Sequence, residues 1–388
     1  MPEQQDRLFF LDNLRAFIIV CVVTLHGAMI YMDSPPEWWY VSDTQRSLIF
    51  TAVALLIDVP IMMVLFFLAA YFVLPSLIKR DQKTFLKDKF IRIGAPWIFG
   101  VLLLTPPTVY FAYYSRNVPM GLFQFWATDF WQVRYQQSVY WYLGVLFLFF
   151  VLFSVVYRSN RWLQSVPGPV PLSPGLVLGV FWGLTTLAIF FMSEWHVPEG
   201  WFACSYVLVV QPWRTPLYVG YFILGIIACR NGWFTARGYQ PRLIPWATLW
   251  FLLGTGYFAN RFNCDRLQII KHIHRLIHTY ILGQSKLALN IEHAILFNTL
   301  CLSSLLAGVA FFQRYLNGGG RFWKGLSANS YGIYYIHPLI LYPLACCFLG
   351  VTFSPYAKAV LVISTALLAS WAVSAFVLRK IPGLRRAF

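Results

Sequence analysis

Asp12, Arg15 and His26 interrupt an otherwise apolar run that reads LDNLRAFIIVCVVTLHG. Eleven residues at 100° each fall about 20° past a whole number of helical turns, so Arg15 and His26 project from one helix face, about 16 Å apart along the axis. Asp12 lies one turn before Arg15 and can hold its guanidinium. His26 has no charged neighbour one turn away, and a neutral imidazole can take a proton. The structural alternatives are an arginine that snorkels to headgroup phosphates and a histidine that only joins two helices. Spacing by itself leaves both open.

Other residues in apolar surroundings invite the same question, because ionisable groups are expensive inside a bilayer. Asp58 precedes Val59 and Pro60, where a proline frees a backbone carbonyl. It could line a polar cavity or pair with Arg46 or with another helix. His337 lies about two turns inside a late apolar run that also holds Ser330 and Tyr334. It could assist chemistry or bond a neighbouring helix. Glu292, His293, His272, His274 and His278 resemble a metal cluster, but Lys271 and Arg275 stand among the histidines and disfavour a cation. No metal is expected there. A basic surface contacting headgroups or an anionic acceptor fits better.

The elements that must position these groups are membrane helices. Of 388 residues, 59% are hydrophobic and 11% charged, with a mean hydropathy of +0.61, which excludes a water-soluble globule. Apolar runs at 8–30, 48–77, 93–114, 139–157, 174–193, 215–229, 243–259, 289–312, 330–350 and 356–378 predict an all-α polytopic protein of about ten transmembrane helices. Residues 1–388 read as a single membrane domain with a short basic tail over 379–388. The first run has no small-residue cleavage site and is expected to be retained. With both termini cytoplasmic, most Lys and Arg fall on the cytoplasmic side, including the cluster Lys79, Arg80, Lys83, Lys87, Lys89 and Arg92. The net charge of +16 is thus explained without nucleic acid. The local exception, 260–288, predicts an amphipathic helix in the outer interface. The cysteines show no C-x-x-C spacing and read as packing residues. The outer loop Asp33 to Asp43, with Glu37, Trp38, Trp39 and Tyr40, offers indole faces for interfacial anchoring or for sugar rings. Gly318, Gly319 and Gly320 predict a flexible turn, without the Lys-Ser/Thr of a phosphate loop.

Leu11, Asp12, Arg15 and His26 together resemble the first-helix signature of acyltransferase family 3, in which an arginine, ten residues and a histidine follow a leucine-aspartate. Lys89, Phe90, Ile91, Arg92 before Ile-Gly-Ala-Pro-Trp resembles the family's R-x-x-R element, with lysine in place of the first arginine. Tyr140, Trp141, Tyr142, Leu143 resembles the aromatic opening of its fourth helix. Ser330, Tyr331, Gly332, Ile333, Tyr334, Tyr335, Ile336, His337, Pro338 resembles its late S-Y-x-x-Y-x-x-H helix. Phe67 to Phe72 departs from the pattern, with Ala69 and Ala70 where the family usually has Ser-Gly.

The resemblance implies transfer of an acyl group, usually acetyl, from cytoplasmic acyl-CoA to a hydroxyl of a carbohydrate or lipid-linked acceptor on the outer side of the cytoplasmic (inner) membrane. Its first helix is also similar to that of glucan-modifying succinyltransferases. The residues fit such chemistry, since a thioester needs only a base, oxyanion donors and a dry site. His26 is the expected base, with His337 as a second catalytic candidate. Arg15, Lys89 and Arg92 are expected to clamp the phosphates of CoA, and Asp12, Asp58, Trp141, Ser330 and Tyr334 to support them. A transporter or flippase for an anionic lipid or glycan is the alternative that composition leaves open. The acceptor, the acyl chain and the oligomeric state are not encoded in any motif.

Overall fold

The computed structural model describes residues 8–36, 38–164, 173–196, 200–262 and 286–388. His272, His274 and His278, with the amphipathic helix predicted around them, lie outside the described residues, as does Glu37. The described chain is almost wholly helical, as hydrocarbon demands of a spanning segment whose backbone groups must pair internally. Its main helices are α1 (Phe9–Ala28), α2 (Leu48–Tyr71), α3 (Gln82–Tyr114), α4 (Trp141–Ser159), α5 (Pro174–Trp195), α6 (Thr215–Arg230), α7 (Leu243–Phe262), α8 (Lys286–Tyr315), α9 (Arg321–Ile336), α10 (Pro338–Cys347) and α11 (Pro355–Val373). A short antiparallel pair, Phe202–Cys204 with Leu208–Val210, is the sheet seen among the described residues.

Seven helical stretches are long and apolar enough to cross a membrane: Phe9–Ala28, Leu48–Ile78, Gln82–Tyr114, Ser138–Ser159, Pro174–Trp195, Leu287–Tyr315 and Pro355–Leu378. The remaining predicted spans fall on the shorter helices α6, α7 and the α9–α10 pair. Length and apolarity therefore mark seven candidate crossings among the described residues, and the three further ones rest on the sequence pattern.

Helix α1 is central. It packs against α2, α8, α9 and α11, and buries Leu11, Leu14, Ile19, Val22 and Val23. Two glycines allow backbones to approach. A Cβ on Gly27, immediately after His26, would collide with Ile363 of α11. A Cβ on Gly225 of α6 would collide with the Phe67 carbonyl oxygen and sit 2.8 Å from the Ala70 Cβ. The small residues at the departure from the family's Ser-Gly thus serve the α2–α6 contact, where a bulkier pair would force the helices apart.

Candidate active site

The two ends of α1 carry different chemistry. At its C-terminal end the His26 Nδ1 lies 2.9 Å from the Nε2 of His337, with ring centroids 5.0 Å apart. His337 is fully buried, and its Nδ1 lies 2.8 Å from the carbonyl oxygen of Tyr334. That carbonyl is available for a local reason. Residue 338 is proline, which has no N–H to return to the carbonyl four residues before it. The His337 side chain replaces the missing backbone donor, and the chain restarts as α10.

This geometry assigns the tautomers of the neutral pair. The Nδ1–H of His337 donates to Tyr334, which leaves its Nε2 as an acceptor for the Nδ1–H of His26. The lone pair of His26 then resides on Nε2, to which no other described residue is bonded. His26 is half-buried.

The loop between α1 and α2 closes over the pair. Trp39, 3% exposed, sets its ring edge-on to His26 at 5.3 Å and to Tyr342 of α10 at 5.9 Å. The loop is tied on several sides. Asp43 N–H donates to Ile30 O at 3.0 Å and Ser47 N–H to Tyr31 O at 2.9 Å. Arg116 donates to Trp39 O at 2.8 Å, and the Tyr40 hydroxyl to Gln136 at 2.9 Å. Lys358, near the start of α11, donates to the Asp43 carboxylate at 2.8 Å, with both side chains 1% exposed.

At the other end of α1, Arg15 and Asp12 are paired at 3.1 Å. Both line a cavity of about 270 Å³ together with Asn13, Gly319, Trp323 and Lys324. The Arg15 side chain is 42% exposed, so the pair is solvated and weak. Buried Asn13 donates to Leu316 O at 2.7 Å and Gly318 O at 3.1 Å, fixing the glycine turn as one wall. The Tyr142 ring lies 6.0 Å from that of Tyr334, which lies 6.1 Å from His337. A row of aromatic rings thus leads from Tyr142 of α4 to the histidines.

The other predicted site residues are placed as follows. Lys89 does not line the Arg15 cavity; its ammonium rests over Phe150 at 4.6 Å and Phe85 at 5.3 Å. Arg92 pairs with Asp88 at 3.2 Å and also lies off the cavity, while its carbonyl accepts from Tyr331 of α9 at 2.8 Å. Asp58 binds Arg214, at the start of α6, at 2.7 Å; Arg46, the partner considered first, instead donates to the Asp43 carbonyl at 3.0 Å. The Ser330 hydroxyl donates to Ser327 O at 2.9 Å within its own helix. The Tyr334 hydroxyl bonds Val139 O, bracing α9 against the start of α4. Trp141 packs on Trp201 at 5.3 Å and Tyr218 at 5.5 Å. Sequence reasoning missed Lys324, whose signal was its place four residues after the glycine run, and the contact of Trp39 with His26.

Known proteins give these observations a context. Residues 8–375 match the family model described as the acyltransferase domain. Glucans biosynthesis protein C of Shigella dysenteriae serotype 1 (strain Sd197) is 24% identical over 243 residues, covering 58% of this chain and 59% of the relative. The protein of the same name from Salmonella heidelberg (strain SL476) is 26% identical over 251 residues, covering 61% and 62%. The matched part therefore spans about three fifths of these relatives' length. No solved structure matches the chain. With the match running through nearly every helix, including those that carry His26 and His337, the chain belongs to the acyltransferase domain family.

Proposed function

We propose that this protein transfers an acyl group, acetyl or succinyl, from cytoplasmic acyl-CoA to a hydroxyl of a carbohydrate acceptor on the outer side of the cytoplasmic membrane. The observation that carries the reading is the His26–His337 hydrogen bond, because it leaves a bare Nε2 on His26 at the end of a helix whose other end is cationic. The names of the relatives, glucans biosynthesis proteins, support a glucan as acceptor.

The acceptor oxygen attacks the thioester carbonyl carbon while its proton passes to His26 Nε2. The C–O bond forms, the carbonyl π pair moves to the oxyanion, and His337 Nε2 holds the imidazolium through the Nδ1–H of His26. Collapse of the oxyanion breaks the C–S bond. The thiolate takes the proton back from Nε2, so the products are the sugar ester and CoA with a free thiol. Arg15, with Lys324, supplies the cations for the phosphates of the donor. The separation along α1, about 16 Å, suits the flexible pantetheine arm. Lys89 and Arg92 are left as wider electrostatic attraction at the same membrane face.

Protein reconstituted in liposomes with radiolabelled acetyl-CoA or succinyl-CoA and a gluco-oligosaccharide tests this. Label should pass into the sugar as an ester, and His26→Ala should lower the rate by about 10³-fold while the protein still folds. Movement of the oligosaccharide across the membrane with no acyl donor present, and no label in the sugar, would establish the transporter reading instead.

A further inference from the structure

Trp38 and Trp201 stand at the outer mouth above the histidine pair, 41% and 38% exposed, with rings 6.2 Å apart and nearly perpendicular at 79°. Neither is an isolated anchor. Trp201 continues inward onto Trp141 at 5.3 Å, and Trp38 onto Trp39 at 5.6 Å, which in turn meets His26 at 5.3 Å. The two exposed indoles therefore form a right-angled corner whose inner side runs down to the base.

The polar groups of this corner are unspent. Among the described residues the Trp39 Nε1 and the Tyr342 hydroxyl are buried without a hydrogen-bond partner. An orphaned buried donor is costly unless something satisfies it. Water or a ligand hydroxyl would. We propose that this corner is a carbohydrate subsite, in which one neutral pyranose ring of the acceptor stacks on Trp38 and Trp201 and, on displacing the cover over them, satisfies with its hydroxyls Trp39 Nε1 and Tyr342, both closed to solvent in the free protein. The inference rests on the acyl-transfer reading and names where the acceptor is held.

The chemistry selects a sugar over other occupants. Indole faces are electron-rich and disfavour anions. The nearby Arg46 and Arg116 disfavour cations. A lipid tail would leave both orphaned groups unsatisfied. A pyranose alone presents an apolar C–H face together with a rim of hydroxyls.

The test is calorimetric titration of a short β-linked gluco-oligosaccharide into protein held in nanodiscs, with no acyl donor. Trp38→Ala and Trp201→Ala should each raise Kd about tenfold, and Trp38→Phe by less. Thermal unfolding in parallel separates a folded variant with weak binding from a misfolded one. An unchanged Kd in both alanine variants, or no binding to the wild type, overturns the subsite. Donor-dependent transfer measured on the same samples keeps the two ideas apart. Sugar binding without transfer sinks the proposed function and leaves the subsite. Transfer with an unchanged acceptor KM in both alanine variants sinks the subsite and leaves the function.

Discussion

The two ends of α1 solve opposite problems with the same helix. The Arg15 end is solvated, its cation half neutralised by Asp12 and its cavity bounded by a glycine turn. The His26 end is enclosed by aromatic rings and by a loop fastened through a fully buried ion pair. Under the proposed function one end serves exchange of a charged donor, where a rigid environment would slow release. The other is built to keep two imidazoles in fixed tautomers, where water would compete for every hydrogen bond. The contrast teaches that affinity and chemistry are separable here along a single helix axis, and substitutions should divide accordingly.

The largest effect beyond His26 itself is expected at its partner. His337→Ala should lower kcat by about 10²-fold with the donor KM nearly unchanged, since it removes the acceptor that orients His26. Pro338→Ala should act the same way but more mildly, about tenfold, because the restored N–H competes for the Tyr334 carbonyl. Single-turnover kinetics on both variants measure this. A rise in donor KM instead of a fall in kcat would break the division.

Lys358→Met is expected to cost about 3 kcal/mol of stability, because it leaves the Asp43 carboxylate buried without a counter-charge. Thermal unfolding in detergent should show the loss, and limited proteolysis should find the 29–47 loop newly accessible. Asp43→Asn combined with Lys358→Met should recover part of it. If the single variant melts like wild type, the loop is held by its backbone bonds alone.

Arg15→Lys should raise the donor KM about tenfold and leave kcat within a factor of about two, since an ammonium keeps the charge but loses the guanidinium fork. Truncated donors such as acyl-pantetheine, which lack the nucleotide phosphates, should erase the difference. A kcat effect as large as that of His337→Ala would mean the two ends are not independent.

Much of this division was legible in the sequence, and the part that was not has a physical cause. The placement of Arg15 and His26 on one face follows from helical periodicity, and the spans follow from transfer free energy, both of which are local. The pairing of His26 with His337 crosses 311 residues, and no local pattern states which helix lies beside which. The same blindness hid the Arg214 partner of Asp58 and the role of Lys324, each contributed by a distant helix end. His337-Pro338 was readable in principle: a histidine directly before a helix-restarting proline has a free carbonyl within its own reach.

The Lys358–Asp43 pair ties the last spanning helix to the loop that follows the first. During synthesis the first helix enters the membrane long before residue 358 leaves the ribosome. Until that segment arrives, the loop over His26 lacks its buried ion pair, and for most of that time His337 is absent too. The fold therefore works as a check on completeness: a nascent or prematurely terminated chain has neither the second histidine nor the ion pair that closes the His26 end.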